Sequence, residues 1–179
     1  GKTMAEKFDL QQALSVALLA SDAASNILTK KFLEPKENLK TWMKAPGDLV
    51  TSADIEANDA ILEILQNSCT KAGVLSEETG QSKNVRKVNE WLVDPLCGTV
   101  PYRSGLPHWG FNIALRRGPS IDLGIIALPA MQQLLKGCRE TGLFLNEERY
   151  ISRPYDLPLS EAIVGLEVDG GQEWGRLIR

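Results

Sequence analysis

The sequence predicts an α+β domain in which two N-terminal helices pack on a mainly antiparallel sheet. Three observations lead there. Apolar residues recur at helical spacing through the first third of the chain. They alternate, or run on at strand length, through the remainder. The two regimes do not interleave as repeated βαβ units would require.

The first helix is expected over residues 9 to 31. Leu10, Ala13, Leu14, Ala17, Leu18, Ala24, Ile27 and Leu28 form one apolar stripe, and Asp9 can cap its start. Pro35 closes the segment, residues 36 to 44 read as a charged surface stretch holding Trp42, and Pro46-Gly47 marks a turn. A second helix is expected from Ser52 or Asp54 to about Ser68, with Ala53, Ala57, Ala60, Ile61, Ile64 and Leu65 on its buried face. Residues 73 to 77 read as a short strand, 83 to 87 as a polar loop and 88 to 93 as a strand delivering Asp94. Beyond Trp109, strands are expected over 111 to 115, 121 to 128, 130 to 138, 142 to 145 and 162 to 168. Asp169-Gly170-Gly171 reads as a hinge.

A chain of 179 residues is long enough for one domain with a substantial core. Its 43 % hydrophobic and 24 % charged content is that of a globular protein, and no apolar run is long enough to span a membrane. A net charge of −3 argues against nucleic acid as the main partner. Cys69, Cys97 and Cys138 are odd in number and lack C-x-x-C spacing, which argues against a zinc knuckle or disulfide framework. A reducing compartment, cytoplasm or organelle matrix, is therefore expected rather than secretion. Residues 1 to 7 read as a tag or processing remnant with a lead-in.

Trp91-Leu92-Val93-Asp94-Pro95-Leu96-Cys97-Gly98-Thr99 organises the chain. The apolar run should end at Pro95, which has no N–H to give a ladder, and Gly98 tolerates a tight turn. A carboxylate, a free carbonyl and two amides would then share one small surface, which suits a hard cation beside a phosphate. The same pattern also describes an ordinary strand-ending turn. Asp54 likewise reads either as a first-turn carboxylate on the helix dipole or as part of a site.

Asp48-Leu49-Val50-Thr51-Ser52-Ala53-Asp54, then Leu75-Ser76-Glu77-Glu78-Thr79-Gly80, then Trp91 to Thr99 follow one another in order. They resemble the motifs D-L-V-T-x-x-D, G-E-E and W-x-x-D-P-x-D-G-T of the inositol monophosphatase family. These are magnesium-dependent, lithium-sensitive sugar and nucleotide phosphatases. The resemblance covers about residues 8 to 170 and implies the N-terminal α+β domain of that fold, with 171 to 179 opening a second, α/β domain that is otherwise absent. Three departures stand out. Cys97 occupies the place of the second aspartate, Val100-Pro101-Tyr102 replaces Thr-Asn-Phe, and no W-D follows before Arg179.

The resemblance implies that Glu77, Asp94 and the Leu96 carbonyl hold a first Mg2+. It also implies that Glu77 orients a water with Thr99 and Asp54 paired behind it, and that the Gly98 and Thr99 amides receive the phosphate. A second magnesium would retain only Asp94, because the thiol of Cys97 is a soft donor better matched to zinc or copper. His108, the sole histidine, reads as a loop residue beside Trp109. The substrate expected is a small sugar, polyol or nucleotide phosphate, and Gly105-Leu106-Pro107-His108 leans towards an inositol phosphate. Turnover is expected to be impaired in this chain, and a catalytically inactive member serving as a structural or regulatory interaction domain is the alternative. The face that would meet the second domain is expected to be apolar and covered by a homodimer partner or another chain.

Overall fold

The computed structural model describes residues 8 to 81, 88 to 154 and 156 to 162. The strand expected over 162 to 168, the 83 to 87 loop and the 169 to 171 hinge lie outside these residues, apart from Ala162.

Helix α1 spans Leu10–Leu33, and its N-cap Asp9 accepts from the Gln12 amide. Its buried positions are mostly alanine (Ala13, Ala17, Ala20 and Ala24), flanked by Leu10 and Leu28. Small side chains let a second helix approach closely. Helix α2, Ser52–Gln66, does so with Ala53, Ala57, Ile61 and Leu65 turned inward. Thr51 and Asp54 close a reciprocal capping box at its start.

The stretch expected to be plain surface instead holds a hairpin. Strand β1, Thr41–Ala45, pairs antiparallel with β2, Asp48–Thr51, as a separate two-stranded sheet. Pro46 and Gly47, the latter at φ 84°, make the turn. A proline followed by a positive-φ glycine suits the central pair of a type II turn.

The remaining strands are β3 Gly73–Ser76, β4 Gly80–Gln81, β5 Asn89–Cys97, β6 Gly110–Arg117, β7 Ser120–Leu128, β8 Gln133–Cys138, β9 Gly142–Leu145 and β10 Glu148–Arg149. Among the described residues they form one sheet in the order β10-β9-β8-β7-β6-β5-β3-β4. Every pairing is antiparallel except β3 with β5, so the sheet is mixed, with a single parallel step. That step brings the C-terminal ends of β3 and β5, and hence Glu77 and Asp94, to one edge of the molecule. Strand β8 begins later than expected because Pro129–Met131 form a 3-10 turn.

Strand β5 does not stop at Pro95. Asp94 pairs with Asn112 and Cys97 with Gly110, leaving Pro95 and Leu96 opposite the single residue Phe111. The proline is accommodated in a bulge, where no ladder donor is required.

Helices α1 and α2 cover one face of the sheet, lying over β7 and β5 respectively. Trp91, Val93, Phe111, Ile113, Leu115, Leu123 and Ile125 are buried beneath them. On the other face the register aligns Leu75, Leu92, Ala114, Gly124, Gly137 and Leu143 in one continuous row. These side chains are only partly buried, and a Cβ on Gly124 would meet open space. A Cβ on Gly137, by contrast, would meet the Leu143 side chain at 3.4 Å.

Candidate active site

Five short segments converge at the C-terminal ends of β3 and β5. An open cleft of about 960 Å³ there is lined by Asp48, Glu77, Asp94 and the run Leu96 to Pro101, with the β1–β2 turn on one side. Phe111, Ile126, Leu128 and Met131 form an apolar wall opposite.

Gly98 shapes the floor. It has φ 87°, and an added Cβ would lie 2.7 Å from the His108 carbonyl oxygen and 3.3 Å from the Trp109 Cα. Only glycine fits, for conformation and for space. Gly98 caps a short helix, α3, Thr99–Arg103. Pro101 lies in its first turn, where no intrahelical N–H is lost. Tyr102 anchors α3 to α1 by donating to the Leu28 carbonyl at 2.7 Å, within an aromatic cluster that includes Phe32 and Trp109.

Asp54 sits behind this floor, 1 % exposed. Its Oδ2 accepts from the Thr51 amide at 2.9 Å and from Thr51 Oγ1 at 2.5 Å, and its Oδ1 accepts from Thr99 Oγ1 at 3.1 Å. Burial pushes its pKa up, and the hydrogen bonds from Thr51 and Thr99 partly oppose that. Asp54 is thus both a cap residue and the partner of Thr99, the two readings that its position in sequence left open.

Glu77 begins the turn between β3 and β4, with its amide bonded to the Val93 carbonyl at 3.0 Å. The residue is exposed overall, yet its carboxyl hydrogen-bonds that of Asp94. Partial burial of the carboxyl, followed by the neighbouring Asp94 charge, raises Glu77 to about 7. Asp94 is raised too, mainly by burial, against hydrogen bonds from Glu77, the Leu96 amide and Asn112. Two adjacent carboxyls whose ionisation is mutually opposed make a site that a cation could occupy.

Glu77, Asp94 and the nearby Leu96 carbonyl fit one hard cation: the donors are all oxygen, and Asp94 Oδ1 is buried without a partner. A fuller set is not assembled. Among the described residues no three His, Cys, Asp or Glu side chains gather closely enough to hold a metal. Cys97 is exposed on the cleft wall, and His108 is exposed on the loop.

Several polar residues at the site went unread in the sequence. Lys44 reaches across from β1 and donates to the Glu77 carbonyl at 2.9 Å and to Glu78 Oε2 at 3.3 Å. Trp42-Met43 and Leu49-Val50 on either side of Pro46-Gly47 were the available signal for the hairpin that carries it. Asn58 and Ser76, both buried, hydrogen-bond beneath the Glu77 turn. Nothing local in the sequence marks that pair.

The family model for the inositol monophosphatase family matches residues 9–172. An inositol-1-monophosphatase of Mesorhizobium japonicum is 37 % identical over 136 residues, which are 76 % of this chain and 51 % of that protein. A Nus factor SuhB of Pasteurella multocida is 30 % identical over the same shares of each. The crystal structure of the extragenic suppressor protein suhB from Bartonella henselae superposes with a TM-score of 0.72 at 31 % identity, covering 76 % of this chain and 53 % of that one. The chain spans about half the length of the curated relatives it matches. With three motif segments gathered at one cleft and the family match running through nearly the whole sequence, this chain belongs to the inositol monophosphatase family.

Proposed function

We propose that this chain forms the catalytic half of a magnesium-dependent phosphomonoesterase acting on a small sugar, polyol or nucleotide phosphate. One observation carries the reading: two neighbouring acidic residues, Glu77 and Asp94, line a cleft whose floor holds the Thr99–Asp54 pair. A bound magnesium would neutralise phosphoryl charge and acidify a water. Glu77, Asp94 and the Leu96 carbonyl would hold it. Glu77 would also orient the attacking water beside the cation. Thr99 spends its hydroxyl proton on Asp54 Oδ1, so its oxygen lone pairs remain available to a water in the cleft. The amides of Gly98 and Thr99, ahead of the first intrahelical bond, are donors for a phosphate oxygen.

A second cation is not expected to bind well, because Cys97 offers a soft donor in place of a carboxylate. Turnover by these 179 residues is therefore expected to be weak. Phosphate release from small phosphate esters, measured with and without magnesium, tests the reading. Magnesium-stimulated release lost in Glu77→Gln supports it. Magnesium-stimulated release that persists in Glu77→Gln overturns it.

The partly exposed apolar row favours a second reading, an interaction domain that keeps the family fold and is covered by a second copy or another chain. Some relatives that the chain matches are named Nus factors rather than phosphatases. Light scattering at high protein concentration tests the self-association half of this reading. A monodisperse monomer counts against it.

A further inference from the structure

Helix α2 touches the candidate site twice. Asp54 and Asn58 lie one turn apart on its buried face, and each grips a different wall of the cleft. Asp54 holds Thr99, at the start of α3. Asn58 holds Ser76, the last residue of β3, through a hydrogen bond from Ser76 Oγ to Asn58 Oδ1. The same Ser76 Oγ accepts the Glu78 amide at 3.3 Å, closing the turn that presents Glu77. Ser76 stands where the resembled motif has glycine, which has no hydroxyl to give.

The arrangement is costly. Asn58 is 0 % exposed, and its Nδ2 has no partner. An unsatisfied buried donor costs about 1–3 kcal/mol, and an apolar side chain here would avoid it. A buried amide that spends its carbonyl on a hydroxyl one step from the cation site is explained if that hydroxyl must be oriented.

We propose that Asn58, acting through Ser76, is a positioning residue that fixes the Glu77–Glu78 turn so that the Glu77 carboxyl stays on Asp94. Asn58 takes the Ser76 hydroxyl proton, which leaves the oxygen lone pairs directed at the Glu78 N–H. Lys44 braces the turn from outside by bridging the Glu77 carbonyl and the Glu78 carboxylate. Asp54 and Asn58 thus hold the two walls in register from one rigid helix. The inference rests on the cation-site reading above only for its functional consequence.

Two measurements on the 179-residue protein test it: hydrogen exchange at the Glu78 amide by NMR, and magnesium affinity by calorimetry. Ser76→Ala and Asn58→Ala should each speed Glu78 exchange at least tenfold while the Ile113 amide in the core strand is unchanged. Magnesium affinity should fall about 10- to 100-fold, as for other outer partners of metal ligands. Ser76→Thr, which keeps the hydroxyl, should restore both, and the double alanine variant should be no worse than the more affected single variant. Exchange and affinity in Ser76→Ala within twofold of the parent would overturn the proposal. So would equal acceleration at Glu78 and Ile113, which marks a merely structural role. If Glu78 responds as stated but the parent takes up no magnesium, the positioning pair stands and the cation reading falls.

Discussion

Thr99 Oγ1 lies 3.1 Å from Asp54 Oδ1, a hydrogen bond that joins residues 45 positions apart and ties the floor of the cleft to the first turn of α2. Because Asp54 also caps that helix, the site and the helix start depend on one carboxylate. Asp54→Ala should destabilise the protein by about 2–3 kcal/mol, through loss of the capping box and of a buried acceptor. Thr99→Val, which breaks only the cross-link, should cost about 1 kcal/mol. Urea unfolding distinguishes them. Equal losses would mean that the cap contributes nothing separate.

Gly98 and Gly118 both have positive φ, at 87° and 58°, but differ in their surroundings. A Cβ at Gly118 meets nothing within 4 Å, whereas at Gly98 it strikes the His108 carbonyl oxygen at 2.7 Å. Gly118→Ala should cost about 1 kcal/mol, the backbone strain alone. Gly98→Ala should cost at least twice that and should also displace the 105 to 109 loop. Chemical denaturation of both variants gives the comparison.

The pH dependence follows from the Glu77–Asp94 pair. Glu77 is raised from 4.5 to about 7 in the folded protein, chiefly by burial of its carboxyl, and Asp94 moves in the same direction. Between these values the folded state binds more protons than the unfolded state, so stability falls as pH rises. The contribution is fully present below about 4.5 and is lost by the time pH passes about 7. Urea midpoints from pH 4.5 to 8 should decline through this window, and Glu77→Gln should flatten the decline. Added magnesium should oppose it, stabilising more at pH 8 than at pH 5.5, since a cation favours the ionised pair.

Cys97 lines the same cleft as Glu77 and Asp94. Cys97→Asp should add a hard donor to the cleft and raise magnesium affinity at least severalfold, with any magnesium-dependent phosphate release rising in step. Cys97→Ser should leave magnesium affinity near the parent value. Calorimetric titration with magnesium and with zinc reads both. Tight zinc binding that disappears in Cys97→Ser would show that the thiol serves as a metal ligand.

Local rules in the sequence determined most of the elements and the identity of the motif residues. The 3.6-residue stripe of α1, the capping residue Asp9, the Pro46-Gly47 turn and the alternation of β6 are short-range signals, and each is found where residue chemistry requires it. It was the resemblance to the family motifs, rather than spacing alone, that pointed to Asp54, Glu77, Asp94 and Thr99. What only the tertiary structure decided was pairing. That β5 continues past Pro95 through a bulge depends on where β6 lies, and proline chemistry alone predicts a stop. That Glu77 neighbours Asp94 depends on the single parallel step between β3 and β5. Lys44, Asn58 and Ser76 reach the site across 33 residues or 18, through contacts that no local propensity encodes. Hydrogen bonds over such separations exist only once the chain has packed, because only packing removes the water that would otherwise satisfy the same groups.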